Sequence, residues 1–510
     1  MTNRHIYSPL PYLILILAML LPAGAAALPL THYADNSALS QGNWMKIRVD
    51  TDGLYRIPTA TLRSWGFRDL SRVRVFGYGG ARISNVLSAE EYIDDLPLAP
   101  CELTDRGLVF YGVAGGDWQT VQGYRHYDQN PYSSYGYYFV GELPDADSSG
   151  TLPSSGTASV SENPARTADA LLHHERELAL AAEAGPLMTG EDFRYTRTRS
   201  FPMDFTDAAD GGSARIEYSF ISNLSSSGRL TANFDDVNIG SATISAKPSD
   251  GYVHGVETIG RHTFECKDGR HSIELTFTPG GTVSMASLNY ISVAYERMLR
   301  MPASGWFRFS SLSSEFALAN ARDDMRIWEI TRPEKASEIK YTISGGEAFW
   351  SMENRSDRTF VAWLPEAALP APKTVGTVSN QNLHAGEGAE MIIICPSEFS
   401  TEASRLADFH RTASDPLSVR IVDPQTIYNE FSSGAPDVSG LRKYLKMLYD
   451  RGVAGTGPSL RYVILMARTT LDNRRLSASA PSYPTLPAWM PSSSAASLSD
   501  NDGFCSDDFV

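Results

Sequence analysis

The sequence predicts a multidomain chain of β plus α/β class, in which β-rich domains of sandwich type lead into the start of a parallel-sheet α/β domain. Three observations carry this expectation. Alternating apolar and polar residues, broken by Gly-containing turns, fill most of 40–140 and 200–300. Beyond residue 390, three short and wholly apolar runs alternate with amphipathic helical patterns. The 510 residues, 42% hydrophobic and 10% aromatic, suffice for several packed cores.

The elements follow in order. Residues 1–27 read as a secretory signal peptide: Arg4 supplies positive charge, 12–21 form an apolar core, and small residues at 23–25 and 25–27 match an A-x-A cleavage rule. That core is too short for the ~30 Å of a bilayer's hydrocarbon. Export is expected, with attachment to any membrane indirect and peripheral. Residues 28–145 form a β-rich amino-terminal domain. In it 45–49 alternates, Asp52 and Gly53 make a tight hairpin turn, and 54–57 returns. A short helix over 59–66 and a strand over 73–78 follow. The rings of Tyr132, Tyr135, Tyr137, Tyr138 and Phe139 suggest a glycan-stacking platform; alternation on a strand, with half the rings inward, is the plainer account.

Residues 146–190 comprise a linker rich in Ser, Gly, Thr and Pro (146–164) and an Ala- and Glu-rich helix over 168–184. Residues 191–300 form a β-sandwich-like domain, with strands between 201 and 297. Residues 301–388 carry further β structure, with Trp306, Trp328, Trp350 and Trp363 at similar intervals, and either complete that sandwich or form another.

From 389 to 510 the order is strand, helix, strand, helix, strand. The run 391–395 is a strand buried on both faces. Ser397 caps a helix through Phe399, Ala403, Leu406 and His410. A strand over 417–422 comes next. Asp437 then caps a helix carrying Leu441, Tyr444, Leu445, Leu448 and Tyr449, which Gly452 ends. The third buried strand is 462–466. Substrates of such sheets are handled at the carboxyl ends of the strands. The segment 467–474 and the acidic residues Asp500, Asp502, Asp507 and Asp508 therefore belong at a functional rim. Residues 477–499 read as a long serine-rich surface loop, and the domain as incomplete at Val510.

These residues carry a resemblance. FHRT at 409–412, VRIVD at 419–423, IYNEFSSG at 427–434 and DVS at 437–439 resemble the opening of the gingipain family of cysteine peptidases. LKMLYDR at 445–451, LRYVIL at 460–465 and DNR at 472–474 extend it. More closely, the chain is similar to the sortases of type IX secretion, which WMKIR at 44–48, DGLY at 52–55, VFGYGG at 75–80 and NPYSSYGYYF at 130–139 also fit. The resemblance is strongest over 40–140 and 390–475. It implies a caspase-like α/β domain with a Cys nucleophile and a His base on strands later than any present, so both are expected beyond Val510 and no catalytic residue is assigned. It further implies an outer-membrane surface location, secreted cargo with carboxy-terminal sorting domains, anionic lipopolysaccharide and outer-membrane secretion proteins as partners. The chain departs from the family at Ala467 and Arg468, where many members carry Gly-Asp; Asp472 is the nearby acid.

Other constellations carry less. A hairpin over 261–277, turning at Asp268 and Gly269, would set Cys266 opposite His271 on the face of Phe264, Ile273 and Leu275. With His262, and His254 as the one further candidate ligand, this falls short of a zinc site, and a buried Cys beside a half-exposed His is the simpler reading. His173, His174 and Glu175 on the expected helix lack the H-E-x-x-H pattern. Cys505 lies among carboxylates that raise a thiol pKa, the wrong direction for a nucleophile. The stretch 500–508 has the oxygen ligands calcium takes, though a solvated acidic loop is the simpler reading; no metal or cofactor site is assigned. The cysteines at 101, 266, 395 and 505 have no C-x-x-C spacing. A net charge of −15, one unit more negative without 1–27, argues against nucleic acid, and no phosphate-binding glycine motif is present. The expected function is a cysteine-type endopeptidase and transpeptidase by resemblance, this chain alone being inactive. The alternative is an exported, non-catalytic surface protein whose β-domains bind protein or glycan.

Overall fold

In the computed structural model, the described residues are 28–84, 87, 91–143, 152–159, 161–181, 187–249, 251–470, 472–477, 480, 482–489 and 498. The first layer is a four-stranded sheet in the order Lys373–Val378, Trp44–Val49, Gly136–Glu142, Val73–Phe76. A three-stranded sheet of Gly53–Pro58, Gly107–Gly112 and Cys101–Thr104 shares its core. Met45, Ile47 and Val49 enter that core with Tyr55, Ile57, Phe110 and Tyr138. The expected hairpin at Asp52 and Gly53 is a corner instead. Trp44–Val49 pairs with Gly136–Glu142 and Lys373–Val378, whereas Gly53–Pro58 pairs with Gly107–Gly112. Both strands are almost wholly buried, so each satisfies its backbone in its own sheet.

The second layer is a nine-stranded sheet running from Val256–Glu265 at one edge, through Ser213–Ser222, Ala286–Met298 and Thr167–Glu175, to Trp306–Ser311 and Arg358–Trp363. It continues through Arg326–Glu329 and Ser337–Ile339 to Ser154–Ser155. A four-stranded sheet covers one half, with Phe205, Phe220, Ile273 and Leu275 between. Three strands at Glu315–Ala319, Thr342–Ser344 and Glu347–Ser351 cover the other, over Phe309, Phe316, Trp350 and Phe360. The tryptophan-marked segment thus extends the sandwich's own sheet and adds a second core. Leu54, Val109 and Tyr111 pack on Trp328 and Trp363 and join the two layers.

Three expectations fail in this layer. The Ala- and Glu-rich segment is a strand, Thr167–Glu175, paired along nine positions with Ala286–Met298. Alanine's helix preference, worth ~0.5 kcal/mol per residue over most alternatives, yields to that ladder. His173, His174 and Glu175 therefore lie on a strand, with His174 Nε2 3.1 Å from Glu191. The hairpin at Asp268 and Gly269 is a crossing between sheets: Val256–Glu265 pairs with Ser213–Ser222, and Gly269–Thr278 with Thr198–Phe205 and Gly228–Phe234. Lastly, part of the expected linker is tied down, because Ser154–Ser155 pairs in parallel with Ser337–Ile339.

The third layer is the parallel sheet Val419–Val422, Met391–Ile394, Tyr462–Leu465. Its central strand is buried on both faces. Helix Ser400–Arg411 covers one face through Ala403 and Ala407, and helices Pro424–Phe431 and Val438–Val453 cover the other through Ile427, Phe431, Leu441 and Tyr444. Details differ from expectation. Ser397 sits in a 3-10 turn and does not cap; the Ser400–Arg411 helix has no side-chain cap at all. Gly452 lies within the helix, which ends at Val453 with Gly455 at φ +71° beyond it. The Tyr462–Leu465 strand is an edge of the sheet among the described residues, with Tyr462 45% and Leu465 52% exposed. Within the loop expected over 477–499, Thr485–Pro487 is a strand.

Candidate functional site

The carboxyl ends of the three parallel strands form the rim where this architecture does chemistry. Arg468–Thr470 runs on from the edge strand and pairs in parallel with Thr485–Pro487. An apolar hollow of about 500 Å³ opens here between Phe399, Met466, Ala467 and Tyr483. Arg468 lies over the Tyr483 ring, 5.7 Å from its centroid. Asp472 is spent on its own loop: it accepts from the amides of Leu476 (2.8 Å) and Ser477 (2.9 Å) and from the Ser477 hydroxyl (2.8 Å). Burial opposes its charge, but these donors outweigh it and hold the carboxyl below its usual range. Arg474 forks onto Glu177, with Nη1 2.6 Å from Oε2, and ties the rim to the nine-stranded layer.

Cys395 ends the central strand at the rim, yet it is closed off. Its Sγ donates to the Pro396 carbonyl at 3.2 Å, and burial, then Asp423 and Glu398, push its thiol up. Cys101 and Cys266 are buried with raised thiols as well. Cys266 bonds the Gly212 carbonyl, His271 bonds Asp235, and His262 meets the Tyr218 hydroxyl at 3.0 Å, so these three have separate structural duties. Asp500, Asp502, Cys505, Asp507 and Asp508 lie outside the described residues.

Sequence reasoning missed the buried polar junction that seats this sheet on the first layer. His384 lies between Glu430 (Nδ1–Oε2 2.7 Å) and Asp94 (Nε2–Oδ1 3.2 Å). Burial disfavours the imidazolium, but both carboxylates outweigh it and raise its pKa to about 9. Glu430 also accepts from the amides of Leu383 and His384, and Asp95 from Ser37 and Ala38. Asp95, His384 and Glu430 bring ligand-type atoms within 4.8 Å of one another. Their existing donors make the group an ion-pair network that seals the junction. Beside it Lys46, from the outer face of Trp44–Val49, donates to Gly434 O (2.7 Å) and Asn429 Oδ1 (3.2 Å), and burial lowers its pKa to about 7. Gly434 is at φ +87°, and a Cβ there would meet Lys46 Nζ at 2.7 Å. Lys443 donates to Ile93 O; burial lowers it to about 8. One signal was legible: Lys443 stands a helical turn from the apolar Met447, on the same buried face.

With this geometry in view, known proteins fall into place. Residues 384–509 match peptidase family C25. No curated protein matches the chain. Among solved structures, the chain is similar to dimeric latent PorU from Porphyromonas gingivalis, at TM-score 0.78 and 27% identity over 89% of this chain and 45% of that one. It also aligns with the CBM36-1 domain of a xylanase from the hindgut metagenome of Trinervitermes trinervoides (TM-score 0.15, 14% identity, 19% of this chain, 68% of that one). The carboxy-terminal CBM6 of the laminarinase LamC from Zobellia galactanivorans is comparable (TM-score 0.14, 19% identity, 19% and 70%). Nothing about this chain follows from those two. The parallel sheet and its helices are therefore gingipain-like, of the cysteine-peptidase kind. The β layers and that sheet together are PorU-like, and the chain spans less than half the length of the PorU chain it matches.

Proposed function

We propose that this chain is the part of a cell-surface cysteine-peptidase sortase that carries its β-layers and the first strands of its peptidase sheet. The enzyme removes the carboxy-terminal sorting domain of type IX secretion cargo and joins the new terminus to anionic lipopolysaccharide. The observation that carries the reading is the single alignment that runs through both the β-layers and the parallel sheet at TM-score 0.78. In the chemistry proposed, a thiolate attacks the peptide carbonyl while an imidazole takes and returns the proton, and an amine captures the acyl-enzyme. The three described cysteines are buried with raised thiols, so none of them is the nucleophile. No Cys–His pair is assigned in this chain, and the 510-residue polypeptide by itself is inactive in this reading.

Deletion of the encoding gene in its host tests the proposal. Cargo should then accumulate with its sorting domain attached, and the complete gene should restore processing. Normal cargo size in the deletion strain would overturn the reading. Cleavage of cargo by the 510-residue polypeptide, abolished by Cys505→Ala, would instead place the nucleophile within this chain.

A further inference from the structure

A second cavity lies away from the rim, where the first layer, the nine-stranded sheet and helix Val438–Val453 meet. Its volume is about 420 Å³, within the range of small-molecule sites, and such junctions are where these sites concentrate. Asp52, Tyr111, Trp118 and Arg308 are among the residues that line it. Arg308 is underused: among the described residues its side chain makes no hydrogen bond, its Nε is buried without a partner, and its charge partner Asp52 stands 3.8 Å away. Asp52 accepts from the Ala114 amide at 2.8 Å through one oxygen and turns the other toward Arg308. Trp118 stands at the side, with Arg308 6.0 Å from its ring centroid, and its orientation is fixed by edge contacts to Tyr127 (5.6 Å) and His173 (5.8 Å).

Charge decides the class of occupant. Five acidic and five basic side chains line the cavity, so its lining carries no net charge to favour an ion of either sign. What remains open is a donor fork on Arg308, an acceptor on Asp52 and the aromatic surface of Trp118. A hydroxyl both donates and accepts, and vicinal hydroxyls on a ring with an apolar face fit all three. We propose that this cavity is a binding site for a neutral pyranose unit, one or two sugars long. The site is independent of the peptidase reading, since none of its residues belongs to the rim.

The test titrates the 510-residue protein, labelled at its tryptophan indole nitrogens, with methyl glucoside, methyl galactoside, N-acetylglucosamine and cellobiose. Glucuronate and a blocked dipeptide serve as charged and peptide comparators. The Trp118→Phe variant assigns the resonance. At least one neutral sugar should shift the Trp118 signal saturably, and Arg308→Gln should weaken that binding about tenfold, as loss of a charged hydrogen-bond donor does. Arg308→Lys, which retains charge and folding, should weaken it less. No shift with any neutral sugar up to its solubility limit would overturn the proposal. So would tighter binding of glucuronate or the dipeptide, or affinity unchanged by Arg308→Gln.

Discussion

Burial disfavours the charge of both Lys46 and His384, but only His384 has carboxylates beside it, so their pKa values move in opposite directions and pH separates them. Lys46 has only neutral acceptors, the Gly434 carbonyl and the Asn429 amide, with the Tyr137 ring 4.6 Å away. Its pKa falls from 10.5 to about 7 in the folded chain. Between those values the unfolded chain binds the extra proton, so this group makes stability rise as pH rises. A Lys46→Met variant lacks that dependence. Its melting temperature relative to the parent should be highest at or below pH 7 and should lose ground as pH climbs toward 10; a constant gap would show that burial does not lower the Lys46 pKa. His384 has the reverse sign. Its folded pKa of about 9 exceeds the unfolded 6.5, so its contribution is complete below pH 6.5 and is lost as pH rises through 9. A ring titration by NMR should give an apparent pKa near 9, and a value at or below 6.5 would remove the imidazolium from the junction. Neither role was legible in the sequence. The partners of His384 lie 46 and 290 residues away, and those of Lys46 more than 380. No spacing rule reaches so far.

Elements were legible where a local device sets them. Asp437 was expected to cap the Val438–Val453 helix, and its carboxylate accepts from the Ser439 amide at 2.7 Å. Burial raises that carboxyl to about 6, so above pH 6 its charge is held at a cost while its acceptor is needed. Asp437→Ala should lose about 1–2 kcal/mol, whereas Asp437→Asn, which keeps an acceptor without the charge, should lose less than Ala at pH 7. Denaturant melts giving equal losses would contradict the capping role. Helix Pro424–Phe431 was missed although its start was written in Asp423 and Pro424, a capping acid followed by a first-turn proline. The strand Thr167–Glu175 was misread for another reason. Its composition favours a helix locally, and only the distant Ala286–Met298 and Trp306–Ser311 strands override it. The Tyr462–Leu465 run has a buried strand's composition, but its edge position exposes both end residues.

At the scale of the molecule, the peptidase-like sheet is bound into the β layers. Residues before its first strand carry Lys373–Val378, an edge strand of the first sheet, and Gln381, Leu383 and His384, which bond Glu430. Tyr78 donates to the Phe431 carbonyl and Ser433 to the Tyr137 carbonyl across the same seam. Limited proteolysis should accordingly leave 365–395 uncut under native conditions, and early cleavage there would mean the seam is open in solution. The order of layers was readable because strand and helix periods differ; the seam was not, because it is made of polar groups whose partners only the fold supplies. The proposed function places the complete protein at the carboxyl terminus of secreted cargo, and mass spectrometry of that terminus tests the proposal most directly. Cargo from the parent strain should end at the sorting-domain junction in an amide to lipopolysaccharide, and cargo from the deletion strain should retain the sorting domain. A parent-strain cargo ending in a free carboxylate, or identical termini in the two strains, would contradict it.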